Sequence, residues 1–147
     1  VADSIELDYK KEFEKIGVSS VQFAIMHPPY WDIIKFSKDP RDLSNSESVE
    51  NFLLKMNNLT KKVYTILDKG RYCALVIGDK YSDMQQRSLG FYTMQEFLNS
   101  GFKLKSTIIK NFEETKGKKN QQELWRYRAL VGGFYIFKHE YIFLFKK

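Results

Sequence analysis

The chain has 147 residues, 43% of them hydrophobic, with 24 Lys and Arg against 18 Asp and Glu and a formal net charge of +6; that apolar content builds a core and excludes a disordered role. A single cysteine excludes a disulfide scaffold and a thiolate metal quartet, and no apolar run nears the roughly 20 residues of a membrane span. The charged opening Ala2-Asp3-Ser4-Ile5-Glu6 is unlike a signal peptide, so a cytoplasmic protein is expected, and the positive balance favours a polyanion such as nucleic acid. The first residue is Val1 and not a methionine, which suggests a processed chain or a fragment.

The run Ser20 to Met26 reads as a buried strand, and His27-Pro28-Pro29-Tyr30 stops it, since two prolines cannot continue a ladder. Asp32 to Asn45 is polar, contains Pro40 and is expected to loop over the end of the sheet, where function concentrates. From Ser48 to Asp68 apolar residues recur at helical spacing, with Gly70 placed to end the helix. Its start is open between Ser44-x-x-Glu47, which has capping-box form, and Ser48. Arg71 to Ile77 is a continuous apolar run of the kind found in central parallel strands, closed by Gly78-Asp79.

Thr93-x-x-Glu96 has capping-box form, with Tyr92 and Phe97 as a hydrophobic staple and Gly101 as the left-handed C-terminal residue. Phe102 to Lys110 alternates as a strand with one exposed face, and Gln121 to Ala129 suits a helical turn or two. Phe134 to Lys138 and Tyr141 to Phe145 read as two short strands around His139-Glu140, with Gly132-Gly133 freeing the first. The order implies one α/β domain over residues 1–147, parallel at first and antiparallel at its end.

Ligands of open α/β sheets bind at the carboxyl ends of strands, so the His27 turn and Gly78-Asp79 should line one crevice. The strand followed by Pro28-Pro29-Tyr30 resembles the catalytic motif of the S-adenosylmethionine-dependent amino-methyltransferases of DNA. Gly70 to Asp79, Gly101 to Leu104 and His139 to Phe143 are similar to that family's later elements, in the same order, so the resemblance runs from about Val21 to the end. It implies a Rossmann-like class I methyltransferase fold, present in part. It further implies methyl transfer from S-adenosylmethionine to N6 of adenine or N4 of cytosine in DNA, in a restriction-modification setting.

An amino lone pair delocalised into the base ring attacks a methylsulfonium poorly until acceptors draw its hydrogens toward a tetrahedral nitrogen. By the resemblance, the acceptors are the His27 side chain and the Pro28 carbonyl, which the fixed φ of Pro28 and Pro29 holds in place. Tyr30 would stack on the flipped-out base, with Trp31 extending the wall or packing in the core. His27, Pro28 and Asp3 would touch the cofactor. Two departures stand out. His27 replaces the family's Asp, Asn or Ser, and only a neutral imidazole accepts a hydrogen bond. The sequence also holds no Gly-x-Gly turn for the methionine end of the cofactor. Val1-Ala2-Asp3 would then be the tail of the preceding motif, with the Gly-rich half upstream in the gene product or on a second chain; a downstream position is open because motif order is permuted in the family.

Residues 111–130 are expected to form a DNA-contacting insertion, in which Lys116, Lys118, Lys119, Arg126 and Arg128 would follow the phosphate backbone or merely be solvated. No metal site is expected, since His139-Glu140 has no second His. With half a sheet missing, a bare strand edge should drive self-association or recruit a partner. A nucleic-acid-binding fragment without catalysis and an RNA base methyltransferase are the alternatives.

Overall fold

The computed structural model describes residues 3–112 and 122–147. Helix α1 (Tyr9–Glu14) is capped by Asp8, whose side chain accepts from the Lys11 amide. Lys62 pins the segment before it by donating to the Ile5 and Leu7 carbonyls. Strand β1 (Val21–Met26) leads into the two prolines. Helix α2 (Val49–Ile66) turns Phe52, Met56, Leu59, Val63 and Ile66 inward at helical spacing, and strand β2 (Leu67–Ile77) follows without a loop. A hairpin of β3 (Lys80–Ser82) and β4 (Gln85–Arg87) precedes helix α3 (Leu89–Asn99). Strand β5 (Lys103–Asn111), helix α4 (Gln122–Gly132) and strand β6 (His139–Lys146) complete the described chain.

Four strands form one sheet in the order β1-β2-β6-β5, with β1 parallel to β2 and β6 antiparallel to both of its neighbours. Alternation decides the burial: Cys73, Leu75 and Ile77 of β2 and Tyr141, Phe143 and Phe145 of β6 join the core with Phe52, Met56, Leu59, Leu89 and Phe97 from α2 and α3. On the opposite face Phe23, Ile25, Tyr72 and Ile108 remain exposed. Burial pushes the Cys73 thiol up to about 12, which leaves it an inert core residue. No described helix is long and apolar enough to cross a membrane.

Several boundaries differ from the sequence reading, each for a local reason. Ser48 caps α2 by accepting from Asn51, while Ser44 lies in a buried 3-10 turn (Leu43–Asn45). The helix ends at Ile66, and Gly70, at φ +77°, sits inside β2 where the pairing with β1 slips between Val21 and Phe23. Helix α3 begins four residues before Thr93, so Thr93 is an interior residue and the Glu96 carboxylate accepts from Asn57 at 2.7 Å. Gly101 does take the left-handed conformation, with the Phe102 amide returning to the Phe97 carbonyl. Every residue of β5 is exposed, because among the described residues no layer covers either side of this edge. Residues 134–138 form no strand, and His139-Glu140 opens β6 instead of separating two strands. There Phe134 stacks on Tyr81 at 3.7 Å and Tyr81 donates to the Gly132 carbonyl, which ties the end of α4 to the β3–β4 hairpin.

The start of α3 is capped from outside its own sequence. Asp79, at the end of β2, accepts from the Gly90 amide at 3.0 Å, from Gln86 at 3.1 Å and from the Tyr141 hydroxyl at 3.2 Å. Burial and this carboxylate push the Tyr141 phenol up to about 12. Asp79→Ala is expected to lower stability by about 2 kcal/mol, since three donors lose an ionised acceptor. A urea midpoint unchanged from the parent would refute this role.

Candidate functional site

The chain's catalytic candidates meet where β1 and β2 end and β6 begins. Pro28 is buried and His27 exposed, so the turn grips the sheet through its first proline and leaves the imidazole at the surface. The loop that follows is knitted together: Ser44 accepts from the Phe36 amide, Asn45 donates to the Ser37 and Asp39 carbonyls, and Arg41 holds Asp39 through two guanidinium nitrogens. It therefore presents Ile33, Ile34 and Phe36 opposite the proline turn. Between them lies a cavity of about 530 Å³ lined by His27, Pro28, Pro29, Tyr30, Ile33, Ile34, Phe36 and Glu140.

Tyr30 is held at both ends. Its hydroxyl donates to Glu140 Oε2 at 2.5 Å and lies 3.1 Å from His27 Nε2. Its ring packs on Gly78, where an added Cβ would stand 2.8 Å from Tyr30 Cε2. Glu140 is buried, and its other oxygen accepts from Lys110 Nζ at 2.7 Å. Strand register makes that pair, since Lys110 and Glu140 are partners across β5 and β6. Burial alone would raise the Glu140 carboxyl, but the hydrogen bonds from Lys110 and Tyr30 outweigh it and hold the group below the usual carboxylate range. Burial and the Glu140 carboxylate push the Tyr30 phenol upward, so it stays protonated.

The remaining sequence candidates lie elsewhere. Trp31, at φ +51°, turns away from the cavity, donates to the Ser46 carbonyl at 2.8 Å and carries Lys80 Nζ over its ring at 4.3 Å. Asp3 accepts from the Ile5 and Glu6 amides and shares with Pro29, Asp39 and Arg41 a separate hollow of about 410 Å³. Gly78 supports Tyr30, while Asp79 faces α3. Arg126 and Arg128 are exposed on α4, with the Arg128 guanidinium over the Trp125 ring; Lys116, Lys118 and Lys119 lie outside the described residues. A cluster of Lys69, Lys103, Lys105, Lys146 and Lys147 lines a groove at the other end of the sheet, so part of the positive charge sits far from the cavity.

Residue by residue, Ile33, Ile34, Phe36, Glu140 and Lys110 escape the sequence reading. The polarity of residues 32–45 masks the three apolar side chains within it, and only strand register brings Lys110 to Glu140. The lining of the cavity suits the reacting end of the S-adenosylmethionine that the sequence resemblance implies. Its walls are mostly apolar, its three polar groups cluster at one side, and its one carboxylate is already engaged by Lys110 and Tyr30. For the methionine end and the ribose the chain offers neither a Gly-rich turn nor a free carboxylate in this cavity.

Over its full length the chain superposes on a protein of Thermus thermophilus described as a candidate DNA modification methylase, with TM-score 0.63 and 20% identity, covering 52% of that structure. The same protein complexed with S-adenosyl-L-methionine gives TM-score 0.62 at 18% identity, with 100% of this chain and 54% of that one covered. The cytosine-N4-specific PvuII DNA methyltransferase gives TM-score 0.64 at 11% identity over 86% of this chain and 42% of its own. The chain thus spans about half the length of these structures, whose likeness shows a shared methyltransferase fold. No curated protein matches it in sequence. The DNA methylase family model matches residues 21–147, from the first strand of the sheet through the last, and the chain belongs to that family.

Proposed function

We propose that this chain forms the target-base side of an S-adenosylmethionine-dependent DNA methyltransferase that acts on the exocyclic amino group of adenine (N6) or cytosine (N4), in a restriction-modification system. The observation that carries the reading is the Pro28-Pro29-Tyr30 turn at the end of β1, closed by Glu140 around an apolar cavity large enough for a flipped base. S-adenosylmethionine, when bound, supplies an electrophilic methyl group. The Tyr30 face stacks on the base, while Pro28, Ile33, Ile34 and Phe36 exclude water from the reacting nitrogen. The His27 imidazole and the Pro28 carbonyl accept its hydrogens, and fixed proline dihedrals spare the loop any reorganisation. Arg126 and Arg128, with Lys116, Lys118 and Lys119, contact phosphates.

Methyl transfer from labelled S-adenosylmethionine to unmodified DNA by the full protein, with the modified nucleoside identified by mass, tests the reading. N6-methyladenine or N4-methylcytosine is the expected product. Label in RNA alone would assign the loop to an RNA substrate, and label in neither would leave a binding fragment.

The Gly-rich cofactor-binding half, from the same gene product or a second chain, would pair along the outer edge of β1 beside the exposed Phe23 and Ile25. Residues 1–147 alone are then expected to self-associate at micromolar concentration, and a monodisperse monomer in light scattering counts against this.

A further inference from the structure

We propose that Glu140 is a positioning residue that fixes Tyr30 and, through the Tyr30 hydroxyl, selects the tautomer of His27. This rests on the reading of His27 as the acceptor, and it adds which ring nitrogen accepts. The Tyr30 hydroxyl has one hydrogen, and at 2.5 Å it is given to Glu140 Oε2. Glu140 has none to return, since Lys110 at 2.7 Å keeps the carboxylate ionised from its other oxygen. What the Tyr30 oxygen turns to His27 Nε2 at 3.1 Å is therefore a lone pair, and that contact is a hydrogen bond only if Nε2 carries the imidazole proton.

The neutral ring then has its single lone pair on Nδ1. Lys110, Glu140, Tyr30 and His27 form one chain of oriented donors and acceptors running from β5 through the start of β6 to the turn after β1. Strand register places the first two and the proline turn the others, so the sheet itself sets the protonation pattern of a surface histidine. Among the described residues, the groups facing His27 are Tyr30 and Glu140, with Lys110 behind the carboxylate; the opposite charges of Glu140 and Lys110 offset each other and leave orientation as the main effect. A tautomer mixture would offer the substrate a donor part of the time, which repels an amino group whose hydrogens must be accepted.

The test is the 15N signature of His27 in the full protein labelled at histidine, recorded at a pH alkaline enough for a neutral ring and assigned by its loss in His27→Asn. A pyrrole-type Nε2 and a pyridine-type Nδ1, without averaging, is the expected pattern. Tyr30→Phe removes the lone pair offered to Nε2 and leaves the Glu140–Lys110 pair intact. Glu140→Gln, close in shape, weakens the acceptor so that the Tyr30 proton can turn to His27. Both variants are expected to shift the two nitrogens toward each other, with methyl transfer down roughly tenfold in Tyr30→Phe at unchanged KM. A proton on Nδ1 in the parent, or an unchanged pattern in both variants with native amide spectra, would overturn the proposal. Shifted nitrogens with undiminished methyl transfer would uphold the positioning and sink the acceptor reading of His27, so the two failures are distinguishable.

Discussion

Tyr30→Ala is expected to lower kcat/KM for methyl transfer about 100-fold, and Tyr30→Phe only about tenfold. The alanine removes two contributions at once. A base stacked on an aromatic face gains about 1–3 kcal/mol, and the hydroxyl that satisfies buried Glu140 is worth about 1–2 kcal/mol because its loss leaves an ionised oxygen with one partner fewer. Phenylalanine keeps the face and loses only the hydroxyl. The ordering of the three proteins is therefore the informative result, measured as initial rates on one DNA substrate. Equal losses in Ala and Phe would mean that the hydroxyl does everything and that the ring meets no base. A Tyr30→Ala protein as active as the parent would move the base to another part of the cavity.

Much of the frame is legible in the sequence because its signals are local. The run Val21–Met26 followed by two prolines reads as a strand stopped by a turn, and Phe52, Met56 and Val63 define an amphipathic helix whose cap the sequence leaves open between Ser44 and Ser48. Gly101 announces the end of α3 because only the left-handed conformation closes that helix end. The beginning of α3 is hidden for the opposite reason: the acceptor that caps it is Asp79, eleven residues upstream of Gly90 and brought there by β2, so no pattern around Thr93 reveals it. The aromatic run after Gly133 resembles a strand by composition, yet its Phe134 is taken by Tyr81 in a ring stack and Tyr135 stands in solvent.

The site divides in the same way. His27, Pro28, Pro29 and Tyr30 adjoin in the chain, so a motif exposes them together. Their support comes from three distant places, namely Lys110, Glu140 and Gly78, which meet only through the register of β5 with β6 and the parallel pairing of β1 with β2. His139-Glu140 is visible as part of a resemblance, but composition says nothing about which of the two reaches the turn. In the fold His139 lies 3.2 Å from the Tyr141 hydroxyl, and Glu140 is the one that binds Tyr30.

Gly78→Ala is expected to cost about 100-fold in kcat while leaving the unfolding midpoint nearly unchanged. Gly78 has no special backbone conformation to explain a glycine, so space is the reason. A Cβ there would stand 2.8 Å from Tyr30 Cε2 and 3.1 Å from Cδ2, well inside the roughly 3.5–4.0 Å at which carbons rest. The ring is tethered through its hydroxyl to Glu140 and His27, so it relieves the overlap only by tilting across the cavity and stretching those bonds. A displacement near 1 Å in a positioning group costs on the order of 100-fold in rate. Stability is spared because the ring is half-buried and can move toward open space. Gly90 supplies the contrast: a Cβ there would meet the buried Tyr141 ring at 2.5 Å and the Asp79 carboxylate at 3.3 Å, so its loss should appear as unfolding. A double-mutant cycle separates the routes, since Gly78→Ala should do nothing further once Tyr30 is alanine. If it still slows the reaction there, Gly78 acts on the substrate directly and not through the ring.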